Sequence, residues 1–139
     1  MVTRETWIRG AKNGLNTTWE LGKVIVPVYI FVVFLQHTLI IDWIADKLEP
    51  VMGMIGLPGE ASLVLVLGKV LNLYAAIGAI MSLSFTAKEI TIIAVILSLS
   101  HSLPVESAVG AKTGVSPLYI TVLRIGISII AGVVLNIIL

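Results

Sequence analysis

The chain contains no cysteine, which excludes disulfides and thiolate metal ligands and leaves the compartment open. It is also poor in charge: 12% of its 139 residues are Asp, Glu, Lys or Arg, against about a quarter in a soluble domain. The net charge of +1 gives no reason to expect a nucleic-acid partner. Only two histidines occur, His37 and His101, and neither stands in an HExxH spacing. GxSxG and paired-aspartate motifs are missing too, so an enzyme is not expected. Residues 1–23 carry Arg4, Glu5, Arg9, Lys12, Glu20 and Lys23 with no apolar core, and a cleaved signal peptide is not expected. What the chain has in abundance is apolar surface: 58% of it is hydrophobic and its mean hydropathy is +1.06. That composition predicts an integral membrane protein in contact with lipid. Its length leaves room for about three or four membrane elements and no separate soluble domain. So small a unit would have difficulty enclosing a solute pathway alone, and oligomerisation is expected.

Taken in order, the apolar runs predict an all-α integral membrane fold, with an N-terminal segment (1–20) before a single membrane domain (21–139). Trp7, Ile8, Leu15 and Trp19 among Arg4, Arg9, Lys12 and Glu20 suit an amphipathic helix at the headgroup level. A frayed polar tail is the alternative, because Gly10 and Gly14 weaken any helix. Val24 to Ile41 is the first spanning helix, with Pro27 near its start and His37 near the far interface. Asp42 to Gly56 reads as an interfacial amphipathic helix interrupted by Pro50. Residues 57–84 as one straight helix would reach about 42 Å, more than a bilayer core requires. A re-entrant helical hairpin is expected instead, with Gly68, Lys69 and Asn72 at its tip, where glycine tolerates the turn. Ala75, Gly78, Ala79 and Ser82 in its second arm permit close helix contact.

Thr86 and Glu89 have the spacing of a capping box and open the segment 87–112. Its apolar part before Pro104 is too short to cross a bilayer. If the segment continues to Lys112 it spans as two half-helices, a broken helix with Glu106 at the start of the second half. Leu103-Pro104-Val105-Glu106 echoes Leu57-Pro58-Gly59-Glu60. An ordinary helix start accounts for Glu60 beside a polar linker. It does not account for Glu106, whose helix starts where the membrane interior falls and whose carboxylate there costs at least several kcal/mol without partners. The candidate partners are Lys69 and Asn72 at the tip, and Ser100, His101, Ser102 and Ser107 at the break. Lys69, or a bound cationic or hydroxyl-rich solute, is expected to compensate Glu106. His101 and Glu106, five residues apart around the break, also form a candidate metal pair for a divalent ion. Pro117 opens a final spanning helix, 117–139, in which Ser128 and Gly132 make a small-residue face and Arg124 either snorkels or pairs.

This order of elements, with Gly56-Leu57-Pro58-Gly59-Glu60-Ala61 before the hairpin and Ser100-His101-Ser102-Leu103-Pro104-Val105-Glu106-Ser107 at the break, resembles the nucleoside recognition, or Gate, domain. That domain occurs in concentrative nucleoside transporters, ferrous iron permeases and small spore maturation proteins, and the resemblance covers roughly residues 20–139. It implies one inverted-repeat unit, in a fold where hairpin tips and broken helices bind nucleoside and sodium. It also implies a homodimer that supplies the second unit, with an antiparallel arrangement as one form. The basic residues test that arrangement: Arg4, Arg9, Lys12, Lys23 and Lys112 fall on one side, Lys47 and Lys88 on the other. The bias favours a cytoplasmic N-terminus in the cell membrane and weighs against the antiparallel form. The expected function is a transporter, or a transporter-like solute-binding protein, for a small polar solute or cation. Sodium or a proton would be its coupling ion, with no other cofactor. The alternative is a non-transporting membrane scaffold or assembly protein, as the spore maturation branch implies.

Overall fold

In the computed structural model, residues 3–139 are described; Met1 and Val2, the start of the expected N-terminal segment, lie outside the described residues. The longest element, α1 (Arg4–Gln36), is one helix of 33 residues, about 50 Å at 1.5 Å per residue. Residues 4–20 therefore continue into the first span without a break. Within α1 only Val32 and Leu35 are buried. The helix stops at Gln36 rather than running on to Ile41. Beyond it Thr38 is extended, and its hydroxyl accepts the Ile40 N–H at 3.4 Å to open α2 (Leu39–Met54). Pro50 does not interrupt α2 as the sequence reading expects. The face it occupies is exposed, so the backbone carbonyl it leaves unpaired is not sealed in the core.

Gly56, at a φ of +72°, turns the chain out of α2. Gly59 then lies against the backbone of Ala45, and its N–H donates to the Glu49 carboxylate at 2.6 Å. Two short helices follow, α3 (Ala61–Val70) and α4 (Leu73–Ser82), packed on each other and joined by Leu71 and Asn72. Asn72 caps α4 by accepting the Ala75 N–H at 2.9 Å. Gly68 is not part of that turn. It lies inside α3, where the missing Cβ leaves room for the Leu97 side chain. Along its other side α4 packs on α1: Gly78 faces the Ile25 carbonyl, and the Gln36 amide donates to the Ser82 carbonyl at 2.7 Å.

The segment from Ala87 forms α5 (Ala87–Ser100) and α6 (Leu103–Ala111), and the chain ends in α7 (Pro117–Ile138). Both halves of the capping box are present: Glu89 N–H donates to the Thr86 hydroxyl and Thr86 N–H to the Glu89 carboxylate. The centre of the molecule is α5, whose Ile92, Ile93, Ile96 and Leu97 are buried with Val64 and Leu65 of α3 and Val32 of α1. α7 packs along α5 and turns most of its apolar side chains outward. Among the described residues three helical stretches are long and apolar enough to cross a membrane: α1, α5 with α6, and α7.

The end of the molecule that carries α2 gathers acidic groups. Glu60, outside the three long stretches, has its carboxyl held above the usual glutamate range, first by burial and then by Glu89, Glu49 and Asp42. A carboxyl with a raised folded-state pKa binds its proton more tightly in the folded protein. Stability from this group is thus greatest at low pH and declines as pH rises through the raised value. Thermal unfolding of Glu60→Gln at pH 4 and pH 8 checks this. The variant is expected to gain on the native protein only at the higher pH, and an equal difference at both would exclude Glu60 as the source.

Candidate functional site

The site begins with two helices that stop inside the protein. α3 ends at Val70, leaving its last carbonyls without helical partners, and α6 starts at Leu103, leaving its first N–H groups without them. The two defects meet: Ser102 N–H donates to the Gly68 carbonyl at 3.0 Å. Ser102 reaches that position in the left-handed region, at a φ of +47°, the only positive φ at a non-glycine among the described residues. The break between α5 and α6 is thereby fastened to the last turn of α3. Pro104, in the first turn of α6, loses no backbone hydrogen bond there.

Electrostatics complete the join. Glu106 lies in the first turn of α6, where a carboxylate faces the positive end of the helix dipole. Its partner is Arg124 of α7, not Lys69. The Arg124 guanidinium is bonded to the Glu106 carboxylate, and its Nε–H donates to the Leu99 carbonyl at 2.9 Å. Leu99 is in the last turn of α5, so one guanidinium serves a freed carbonyl on one side of the break and a carboxylate on the other. His101 brings Nδ1 to 3.2 Å from the second Glu106 oxygen. That contact is too far out of line for a hydrogen bond, and Nδ1 has none among the described residues. The Glu106 side chain remains 38% exposed and that of His101 32%, although His101 Nδ1 itself is buried. Among the described residues no third His, Cys, Asp or Glu joins them to make a metal-binding cluster.

Lys69 is held elsewhere. Its ammonium donates to Ser100 Oγ at 2.6 Å and Ser128 Oγ at 3.1 Å. The protons of those hydroxyls are already committed, Ser100 to the Ile96 carbonyl and Ser128 to the Ile125 carbonyl. Both oxygens can therefore only accept from the lysine. Ser107 is buried and shares a hydrogen bond of 2.7 Å with Thr121 of α7. Of the residues singled out in the sequence, Ser100, Ser102 and Lys69 meet at the crossing, and His101 meets Glu106. Asn72 caps its own helix, and Ser107 docks α6 on α7. The pairing option left open for Arg124 is the one the structure takes, but sequence reading did not match α7 to its partners Glu106, Lys69 and Ser107. A signal was present in the spacing of Thr121, Arg124 and Ser128, which puts three polar groups on one face of an otherwise apolar helix.

Three long apolar stretches around two interlocked helix breaks define an all-α integral membrane protein. Residues 18–139 match the family described as nucleoside recognition (Gate), and the chain belongs to that family. It is 46% identical over 135 residues to the membrane protein YvoD of Bacillus subtilis (strain 168), a match covering 97% of this chain and 43% of that protein. It is 32% identical over 94 residues to the inner membrane protein YjiG of Escherichia coli (strain K12), covering 64% of this chain and 61% of YjiG. The chain thus spans about half the length of these relatives. No solved structure matches it.

Proposed function

We propose that this chain is a transporter-like solute-binding unit that takes a small polar solute, nucleoside-like or cationic, where the two breaks cross. The observation that carries this reading is Glu106, a partly exposed carboxylate at the start of a half-helix, beside His101 and next to the break that is fastened to the last turn of α3. In this reading α3 and α4 are a re-entrant hairpin. Both of its ends adjoin the end of the molecule that carries α2, through Glu49 and Gln36, while the last turn of its first arm reaches the break in the middle of the α5–α6 path. Binding rather than catalysis is its role. The unit works as a homodimer in the cytoplasmic membrane with its N-terminus inside, in line with the distribution of Lys and Arg. Sodium or a proton is the coupling ion.

A second reading, a non-transporting scaffold, is favoured by one observation: Glu106 is already neutralised within the chain by Arg124. Uptake into proteoliposomes separates the two. Flux of a nucleoside or cation that falls at least tenfold in Glu106→Gln, with the variant still inserted, is the expected result. Flux of none of the solutes offered favours the scaffold, and flux unchanged by the substitution removes Glu106 from the site.

A further inference from the structure

Lys69 also lines a cavity of about 420 Å³, walled by α2, α3, α5 and α7, whose lining does not include Glu106. Its lining is almost wholly aliphatic, with Leu48 and Met52 from α2, Ile96 from α5, and Ile125 and Ile129 from α7. Two polar side chains from α3 interrupt that wall, Lys69 and Ser62. Ser62 is 4% exposed, and its hydroxyl has no hydrogen-bond partner among the described residues. An unmet buried hydroxyl is destabilising, and an occupant able to reach it would relieve that cost. Lys69 has no carboxylate partner among the described residues. Two of its three ammonium protons go to Ser100 and Ser128, which leaves one donor and a whole positive charge for the cavity. Seven residues separate Ser62 from Lys69, so they share one face of α3 about 10 Å apart along its axis.

The chemistry of such a space is narrow. A sugar or nucleoside would leave several hydroxyls unpaired against Leu and Ile walls. A cation is repelled by Lys69. An alkyl chain with one anionic end fits both the wall and the charge, and 420 Å³ holds about fourteen groups of roughly 30 Å³ each. We propose that this cavity binds a single-chain lipophilic carboxylate, its head on the free Lys69 proton, its alkyl chain along α2 and α7, and an uncharged polar group on that chain meeting Ser62. The site adjoins the solute site proposed above and meets it at Lys69, but Glu106 is not among its lining residues.

The test uses the whole chain in nanodiscs of zwitterionic lipid, with radiolabelled decanoate and empty nanodiscs subtracted. Saturable binding is expected, displaced by unlabelled decanoate and not by decylamine or decanol. Lys69→Met, which keeps the length and apolar stem of the side chain, is expected to weaken it about tenfold, and Lys69→Arg to restore part of it. Val66→Phe, at an exposed residue of the lining, adds bulk to the cavity and keeps the Lys69 charge, and is expected to weaken binding. Glu106→Gln is not expected to weaken it. The ratio of affinities for 10-hydroxydecanoate and decanoate is expected to fall in Ser62→Ala; an unchanged ratio overturns the Ser62 contact. Binding no greater than in empty nanodiscs, equal displacement by decylamine, or full affinity in Lys69→Met would overturn the proposal. Such a failure leaves nucleoside or cation flux through Glu106 untouched, so the two ideas fall separately.

Discussion

Arg124→Leu is expected to destabilise the protein by about 3 kcal/mol, the lower end of the cost of stripping a partner from a buried charge. The lower end applies because the Glu106 side chain is 38% exposed and that of Arg124 20%. Two losses combine. Glu106 keeps its charge at the start of α6 with only an off-line His101 beside it, and the Leu99 carbonyl at the end of α5 loses its donor. Adding Glu106→Gln removes the first loss and not the second. The double variant is therefore expected to recover all but about 1 kcal/mol, the cost of one unmade hydrogen bond. Thermal or denaturant unfolding of the four proteins in one detergent measures the coupling. A double variant as unstable as the sum of its parts would show that the pair does not hold the break together.

Gly59→Ala is expected to cost about as much, by a different route. A Cβ there would lie within 2.6 Å of the Ala45 carbonyl carbon and 2.7 Å of its Cα. Overpacking costs about 1–3 kcal/mol, and the upper part of that range applies because a helix backbone cannot rotate aside as a side chain does. Displacement of Gly59 also breaks its bond to Glu49, adding about 1 kcal/mol. Gly53 is the control. It lies within α2 with nothing within 4 Å of the added methyl, so Gly53→Ala is expected to stabilise by a few tenths to about 1 kcal/mol. Melting temperatures of both variants decide the matter: if Gly59→Ala melts no lower than Gly53→Ala, the contact between Gly59 and Ala45 does not constrain the fold.

The membrane class and the family resemblance were legible because both depend on local runs. Long apolar stretches, the Thr86–Glu89 capping box, the proline before Glu106 and the proline opening α7 each act within one or two helical turns. Element ends were harder. The apolar run continues five residues past the end of α1, but Thr38 caps a new helix inside it, so Leu39, Ile40 and Ile41 belong to α2. Gly68 was misread as a turn residue because a glycine that makes room for a neighbouring side chain looks the same in sequence as one that bends the chain.

The site divides along the same line. From the sequence alone it followed that a carboxylate stands where a second half-helix begins, and that such a charge needs a partner. Which partner it takes depends on the packing of α7 against α5, where contacts such as Arg124 with Leu99 and Lys88 with Asn136 join residues 25 and 48 positions apart and no local pattern encodes them. That packing brings Arg124 to Glu106 and to the end of α5, and turns Lys69 toward Ser100 and Ser128. Composition and short-range spacing determined that this chain enters a membrane and breaks a helix there, because hydrophobicity and capping act locally. Tertiary structure alone decided how the break is neutralised and where the spare cation points, because Coulomb and hydrogen-bond energies depend on distances that only the folded chain sets.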